Sequence, residues 1–300
     1  MKKLHGIIPP MVTPLLDRNT LDIQGLEKLI EHILNGGVHG LFILGTTGVA
    51  PSLSYKLRSE LIERTCKQVA GRVPVIVGVT DTAFIETLNM ANKAEKFGAD
   101  AVVIAPPYYF PAGQVELCQY FKDVISEISL PSYLYNMPSH TKLIIEPETV
   151  LEISELPSVH GVKDSSGNMT YFNILRKKLK CKKDFSLLIG PEELLAESLF
   201  LGGDGGVNGG ANFAPKLYVE LYNAAVDEDW NKVRVLHDKV MDISTTIYSV
   251  GRFGSSCIKG IKCALSTMEI CNDFMAEPFQ AFKKGEQDII RKHLQNLEIL

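Results

Sequence analysis

The 300-residue sequence has no run of apolar residues long enough to cross a bilayer. Its first ten residues, Met1-Lys2-Lys3-Leu4-His5-Gly6-Ile7-Ile8-Pro9-Pro10, are basic, but Pro9 and Pro10 cut the apolar part short of a signal-peptide core. Excess positive charge is also missing. The 31 Lys and Arg against 35 Asp and Glu leave a net charge of -4, which gives no electrostatic basis for binding nucleic acid or an anionic membrane. None of the six cysteines (66, 118, 181, 257, 263 and 271) belongs to a CxxC pair, so they read as reduced, packed thiols of a cytoplasmic chain. There is no HExxH, no His/Cys ligand cluster and no P-loop, so the sequence points to neither a metal nor a nucleotide. What remains is a soluble chain, 45% hydrophobic and 22% charged, large enough for a sizeable core.

Apolar runs alternate with helical stripes. The runs are Gly6–Val12, Leu41–Leu44, Val75–Val79, Ala101–Ala105, Ser132–Tyr135, Val159–Val162, Phe185–Gly190 and the glycine-rich Gly202–Asn212. Continuous apolar runs of this length are the mark of strands buried on both faces, that is, parallel strands covered by helices. Between them, Leu26, Leu29, Ile30, Ile33 and Leu34 follow the i, i+3, i+4, i+7, i+8 spacing of a one-sided helix that Asp22 opens and Gly36-Gly37 stops. After the seventh run, Pro191 suits the first position of a helix. Eight such units in about 215 residues predict a (β/α)8 TIM barrel. A doubly wound sheet is the alternative, but no GxGxxG follows the first strand. From Lys216 the pattern is helical only, so the expected organisation is a catalytic barrel over 1–215 and a C-terminal helical region over 216–300.

Barrels carry their chemistry in the loops after the strands. The second strand is followed by Thr46 and Thr47, the fourth by Tyr108 and Tyr109, and the fifth by Tyr135, Asn136 and His140. The sixth offers Lys163, the seventh ends at Gly190 and the eighth offers Val207 and Asn208. Hydroxyls and backbone N–H groups in Gly45-Thr46-Thr47-Gly48 suit a carboxylate, Tyr135 suits proton transfer, and a desolvated Lys163 suits condensation with a carbonyl. Together they fit Schiff-base chemistry on a 2-oxo acid, in which the imine acts as electron sink while a bond at C3 forms or breaks.

The ordered set Gly45-Thr46-Thr47-Gly48, Pro107-Tyr108-Tyr109, Tyr135-Asn136-Met137-Pro138, Gly161-Val162-Lys163-Asp164 and the late glycine-rich strand resembles the dihydrodipicolinate synthase and N-acetylneuraminate lyase family of class I aldolases. The resemblance spans nearly the whole chain. It implies a Lys163 imine with pyruvate or another 2-oxo acid, needing no further cofactor, and an acid/base role for Tyr135. It also implies Thr46 and Thr47 against the substrate carboxylate, with Thr47 bridging to Tyr135. Tyr109 would complete a neighbouring subunit's proton relay, and Gly190 and Val207 would line the pyruvate pocket. A homotetramer built as a dimer of dimers is implied as well.

Two positions depart from the family pattern. Val49 stands where a glutamate is common, a feature shared by some 2-oxo-3-deoxy sugar-acid aldolases. His140 stands where true dihydrodipicolinate synthases carry the arginine that binds the carboxylate of aspartate semialdehyde. Histidine is shorter and makes no bidentate fork, so a grip on a second carboxylate is weakened and a hydroxylated aldehyde fits better. The expected function is therefore a Schiff-base lyase for pyruvate or a 2-oxo acid. Dihydrodipicolinate synthase is the runner-up, and a non-catalytic 2-oxo acid binding protein is the alternative of another class.

Overall fold

The computed structural model describes residues 3–300; Met1 and Lys2, the start of the basic N-terminal stretch, lie outside the described residues. Eight parallel strands form one sheet. They are β1 (Gly6–Ile7), β2 (Leu41–Ile43), β3 (Val75–Gly78), β4 (Ala101–Ile104), β5 (Ser132–Asn136), β6 (Val159–Asp164), β7 (Ser186–Ile189) and β8 (Gly205–Gly206). From β2 to β8 each strand pairs with the next in sequence, and β8 pairs back onto β1. A parallel bridge between Pro10 and Phe42 joins the continuation of β1 to β2 and closes the ring. Consecutive order without a reversal rules out the doubly wound alternative.

The strand alternation divides the core in two. Phe42, Ile76, Ala101, Val103, Tyr133, Tyr135, Leu188 and Val207 cluster inside the barrel, whereas the larger core between strands and helices takes their sequence neighbours. Residue sizes balance within this interior. The Tyr133 ring fills the space beside β6, and a Cβ on Gly161 would run into that ring and the Ser186 carbonyl. The same glycine therefore lets β6 pack at all, two residues before Lys163.

Helices α1 (Ile23–Asn35), α2 (Tyr55–Val69), α3 (Phe84–Lys96), α4 (Gln114–Ser126), α5 (Pro147–Ile153), α6 (Met169–Lys178) and α7 (Leu195–Phe200) follow successive strands. Helix α1 shows why: the Asp22 side chain accepts from the Gly25 N–H at 2.9 Å, and Leu26, Leu29, Ile30 and Ile33 form its buried stripe. Pro191 is extended and caps a single turn at Glu192–Leu194, one position earlier than its sequence role suggested. A short antiparallel hairpin, Leu15–Asp17 with Thr20–Leu21, precedes α1 and had no sequence signal strong enough to announce it.

Four helices end the chain: α8 (Pro215–Val226), α9 (Trp230–Thr246), α10 (Ser256–Thr267) and α11 (Lys284–Asn296). Helix α8 lies over the first βα unit, where Pro215 packs at Gly36 and the Tyr222 hydroxyl meets His5 Nδ1 at 3.3 Å. Helix α10 is tied to the barrel by Lys262, whose ammonium donates to the carbonyls of Thr13 (3.0 Å) and Phe274. This tie carries α10 across the carboxyl ends of the strands. No helix among the described residues is long and apolar enough to span a membrane.

Candidate active site

At the carboxyl ends of the strands lies a cavity of about 280 Å3 lined by Phe42, Thr46, Thr80, Tyr108, Tyr135 and His140, among others. A larger groove of about 890 Å3 runs over the outer faces of α1 and α2, away from every strand end. The parallel register sets Tyr135 of β5 opposite Lys163 of β6, so both side chains point into the barrel. Lys163 is only 6% exposed. Its Nζ lies 4.2 Å from the centre of the Tyr135 ring and 5.1 Å from that of Phe42, two rings that wall the cavity.

Desolvation lowers the pKa of Lys163, and Tyr135 acts against that shift. No carbonyl or carboxylate among the described residues accepts a hydrogen bond from its Nζ; Tyr135, through its charge and hydroxyl, is the side chain that favours the ammonium. Neutral amine is thereby available below the usual lysine range, which is what addition to a carbonyl requires.

The turn after β2 brings the hydroxyls. Leu44 and Val49 both hold positive φ, at 57° and 48°, and bracket Gly45-Thr46-Thr47-Gly48 in a sharp bend. Gly78 of β3 accommodates that bend, because a Cβ there would strike the Leu44 carbonyl. The bend places Thr46 Oγ1 3.1 Å from the Tyr135 hydroxyl. The hydroxyl bonded to Tyr135 is thus that of Thr46, whereas the resemblance implied Thr47. Thr47 is half-buried beside it and is not on the cavity wall.

His140 sits on a single helical turn, Pro138–Thr141, after β5. Its ring lines the mouth of the cavity, with Nδ1 3.0 Å from Ser139 Oγ. Partial burial lowers its pKa, so the ring is neutral at pH 7. Arg58, which acts on the cavity-wall Tyr108, is committed elsewhere. Arg58 donates from Nη1 to Asp81 at 3.2 Å and from Nε to the Leu53 carbonyl at 3.1 Å, behind the Tyr108 wall. Burial acts to raise Asp81, but the Ala83 N–H, Tyr55 and Arg58 outweigh it and hold the carboxyl below the usual range.

Val207 is buried in the barrel interior with Tyr135 and Phe42. Gly190 follows β7; its N–H donates to the Asp164 carbonyl at 2.7 Å and its carbonyl accepts from Asn208 Nδ2 at 3.0 Å. Tyr109 stands apart from this group: it is 69% exposed, with its ring 4.9 Å from that of Phe110.

Sequence reasoning missed the residues that shape this site from remote elements. Ile258 of α10 and Phe279 complete the cavity mouth. No local pattern in a helical stripe says which loops it will cover. Glu192 was also missed. Its buried carboxylate accepts from the Gly210 N–H at 2.9 Å, the Tyr248 hydroxyl at 3.0 Å and the Tyr218 hydroxyl, and burial pushes its pKa up to about 7. It fastens the loops after β7 and β8 to α8 and to the turn that follows α9. The six cysteines are all free thiols.

Comparison with known proteins agrees with this geometry. Residues 3–297 match the family model described as the dihydrodipicolinate synthetase family. The structure of a dihydrodipicolinate synthase from Bacteroides thetaiotaomicron superposes with a TM-score of 0.96 at 54% identity, covering 99% of both chains. YagE of Escherichia coli K12, a family member crystallised with pyruvate, superposes with a TM-score of 0.93 at 28% identity over 99% of both chains. A probable 2-dehydro-3-deoxy-D-pentonate aldolase of Escherichia coli, YjhH, is 31% identical over 86% of this chain and 88% of its own. With the motifs in order, the barrel closed and a desolvated lysine facing a tyrosine at its mouth, the chain belongs to the dihydrodipicolinate synthetase family.

Proposed function

We propose that the protein is a Schiff-base-forming lyase that cleaves or assembles a hydroxylated 2-oxo acid, with pyruvate as the covalently held fragment. The observation that carries the reading is the desolvated Lys163 amine, held 4.2 Å from the centre of the Tyr135 ring, which itself walls a small cavity. Lys163 Nζ adds to the C2 carbonyl, and loss of water leaves an iminium. In the cleavage direction the C3–C4 bond breaks, its electron pair moves into the iminium as an enamine, and Tyr135 takes the C4 hydroxyl proton. Protonation at C3 and hydrolysis then release pyruvate and free the amine. The iminium is the electron sink, so the scheme draws on no other cofactor. Thr46 holds the carboxylate in this scheme and orients the Tyr135 hydroxyl, while Thr47, Gly190 and Val207 are assigned to the pyruvate end by the family resemblance alone.

Two features of the cavity favour an uncharged, hydroxylated aldehyde partner. No arginine or lysine is on the cavity wall among the described residues, and His140 at its mouth is neutral at pH 7. A second reading, condensation of pyruvate with aspartate semialdehyde, is favoured by the 54% identity to the Bacteroides synthase. The exposed Tyr109 and Phe110 suit a homotetramer in which Tyr109 serves a neighbouring site. A cytoplasmic place of action is part of the proposal, and the six free thiols support it.

The test is steady-state turnover of 2-oxo-3-deoxy sugar acids, read as pyruvate release, beside condensation with aspartate semialdehyde. Sugar-acid cleavage at an ordinary enzymatic rate supports the lyase. A faster condensation selects the synthase. Imine formation without turnover of any substrate returns the binding protein.

A further inference from the structure

Strand β6 carries one residue more than its partner. Ser132 pairs with Val159, but Tyr133 pairs with Gly161, so His160 is the extra residue of a bulge. Beyond the bulge, Tyr135 faces Lys163 and Asn136 faces Asp164. Without it, Asn136 would face Lys163, and the lysine would turn out of the barrel. Something past the bulge has to favour the register that points the amine inward.

The last pair of the ladder has the right chemistry. Asp164 and Asn136 are both fully buried on the face opposite Lys163 and Tyr135. Asn136 Nδ2 donates to Asp164 Oδ1 at 2.9 Å. The Asp164 carboxylate also accepts from the Ser166 N–H and the Ser166 hydroxyl, each at 3.0 Å. Asn136 Oδ1 accepts from the Ile145 N–H at 3.0 Å. In the slipped register the Asn136 amide would lose its carboxylate and leave it buried with fewer donors, which a low-dielectric interior penalises.

We propose that Asn136 and Asp164 are positioning residues for the imine chemistry: their side-chain bond locks the post-bulge register, and with it the approach of Lys163 to Tyr135. The pair also fastens the loop that carries His140, through Ile145, and the turn at Ser165-Ser166. It touches no part of the cavity and acts only through its neighbours. The proposal rests on the imine reading of Lys163.

The test uses the full-length protein and three variants. Asn136→Asp removes the amide donor and, at a pH high enough to ionise both carboxyls, whose titration burial raises, sets two carboxylates against each other and breaks the bond. Asp164→Asn keeps every bond, since its amide donates to Ser166 Oγ while its oxygen accepts the rest. The double variant N136D/D164N restores the bond with the roles exchanged, at the cost of the Ser166 N–H bond to Oδ1. Each is incubated with pyruvate and borohydride over a range of pyruvate concentrations, and the adduct on Lys163 is followed by peptide mapping. In N136D the limiting trapping rate is expected to fall at least tenfold, while D164N and the double variant stay within threefold of the unaltered protein. If N136D does not fold, Asn136→Ala serves as the broken pair.

An N136D protein that is folded by circular dichroism and traps at the full rate overturns the proposal. So does a folded double variant that traps no faster than the broken pair. Labelling with fluorodinitrobenzene separates this from failure of the imine reading. Tyr135 is the titratable group whose charge acts on Lys163, and it is unchanged in all variants. The pH midpoint of Lys163 labelling should rise when the bond is broken and return when it is restored. If the unaltered protein gives no pyruvate adduct, the imine reading fails, and the labelling midpoints alone decide whether the pair positions Lys163.

Discussion

Two lysines are buried among the described residues, one in the barrel and one in the helical layer over it, and they are built for opposite ends. Lys163 and Lys262 are 6% and 1% exposed, and burial lowers the pKa of both, that of Lys262 to about 8. The Lys262 ammonium meets two carbonyls, those of Thr13 and Phe274. Lys163 meets two aromatic rings, those of Tyr135 and Phe42, and both rings wall the cavity. Burial alone therefore does not mark a reactive lysine. Acceptors that saturate the ammonium make it a structural pin, whereas their absence beside an accessible space leaves an amine free to react.

Substitution of each lysine by methionine sharpens the contrast most. In Lys163→Met the turnover of a competent substrate should fall by about four orders of magnitude or more, because the covalent step is lost. Lys262→Met should keep kcat within twofold per folded molecule. A Tyr135→Phe protein is expected to lose about 100- to 1000-fold in kcat, the usual range for a general acid/base group, while still forming the borohydride-trapped adduct. Loss of trapping in that variant would move Tyr135 from proton transfer to imine formation itself.

The strand order and the eightfold repeat were legible in the sequence because buried parallel strands are apolar on both faces and interrupted by glycine and proline turns. Lys163 was legible less from its place at the end of such a run, where a lysine ordinarily snorkels to water, than from the ordered set of motifs around it, which resembles a family of imine-forming lyases. Less visible were the consequences of single hydrogen bonds. Thr46 rather than Thr47 meets Tyr135 because Leu44 and Val49 adopt positive φ, which neither residue type announces. The extra residue at His160, which decides where Lys163 points, leaves no mark in an apolar run. Ile258 and Phe279 reach the cavity only through the packing of the terminal helices, a long-range property.

The helical-layer lysine can be tested by stability. Its folded pKa of about 8 lies below the unfolded value of about 10.4, so between those values the unfolded chain binds more protons. Stability should then rise with pH across that window, by up to about 3 kcal/mol, less what the two carbonyls return by favouring the ammonium. Lys262→Met should abolish that rise in urea titrations. At pH 7 the same variant should cost about 1–2 kcal/mol, since two buried carbonyls lose their donor. The smallest effect expected is that of Thr46→Val, a drop of about five- to tenfold in kcat from the loss of one hydrogen bond to the Tyr135 hydroxyl.

Borohydride reduction in the presence of pyruvate, with intact mass and peptide mapping, tests the central claim most directly. One pyruvyl adduct per chain, mapped to Lys163 and absent from Lys262, is the predicted result. An adduct on Lys262, or none on Lys163 with pyruvate or any longer 2-oxo acid, would contradict it.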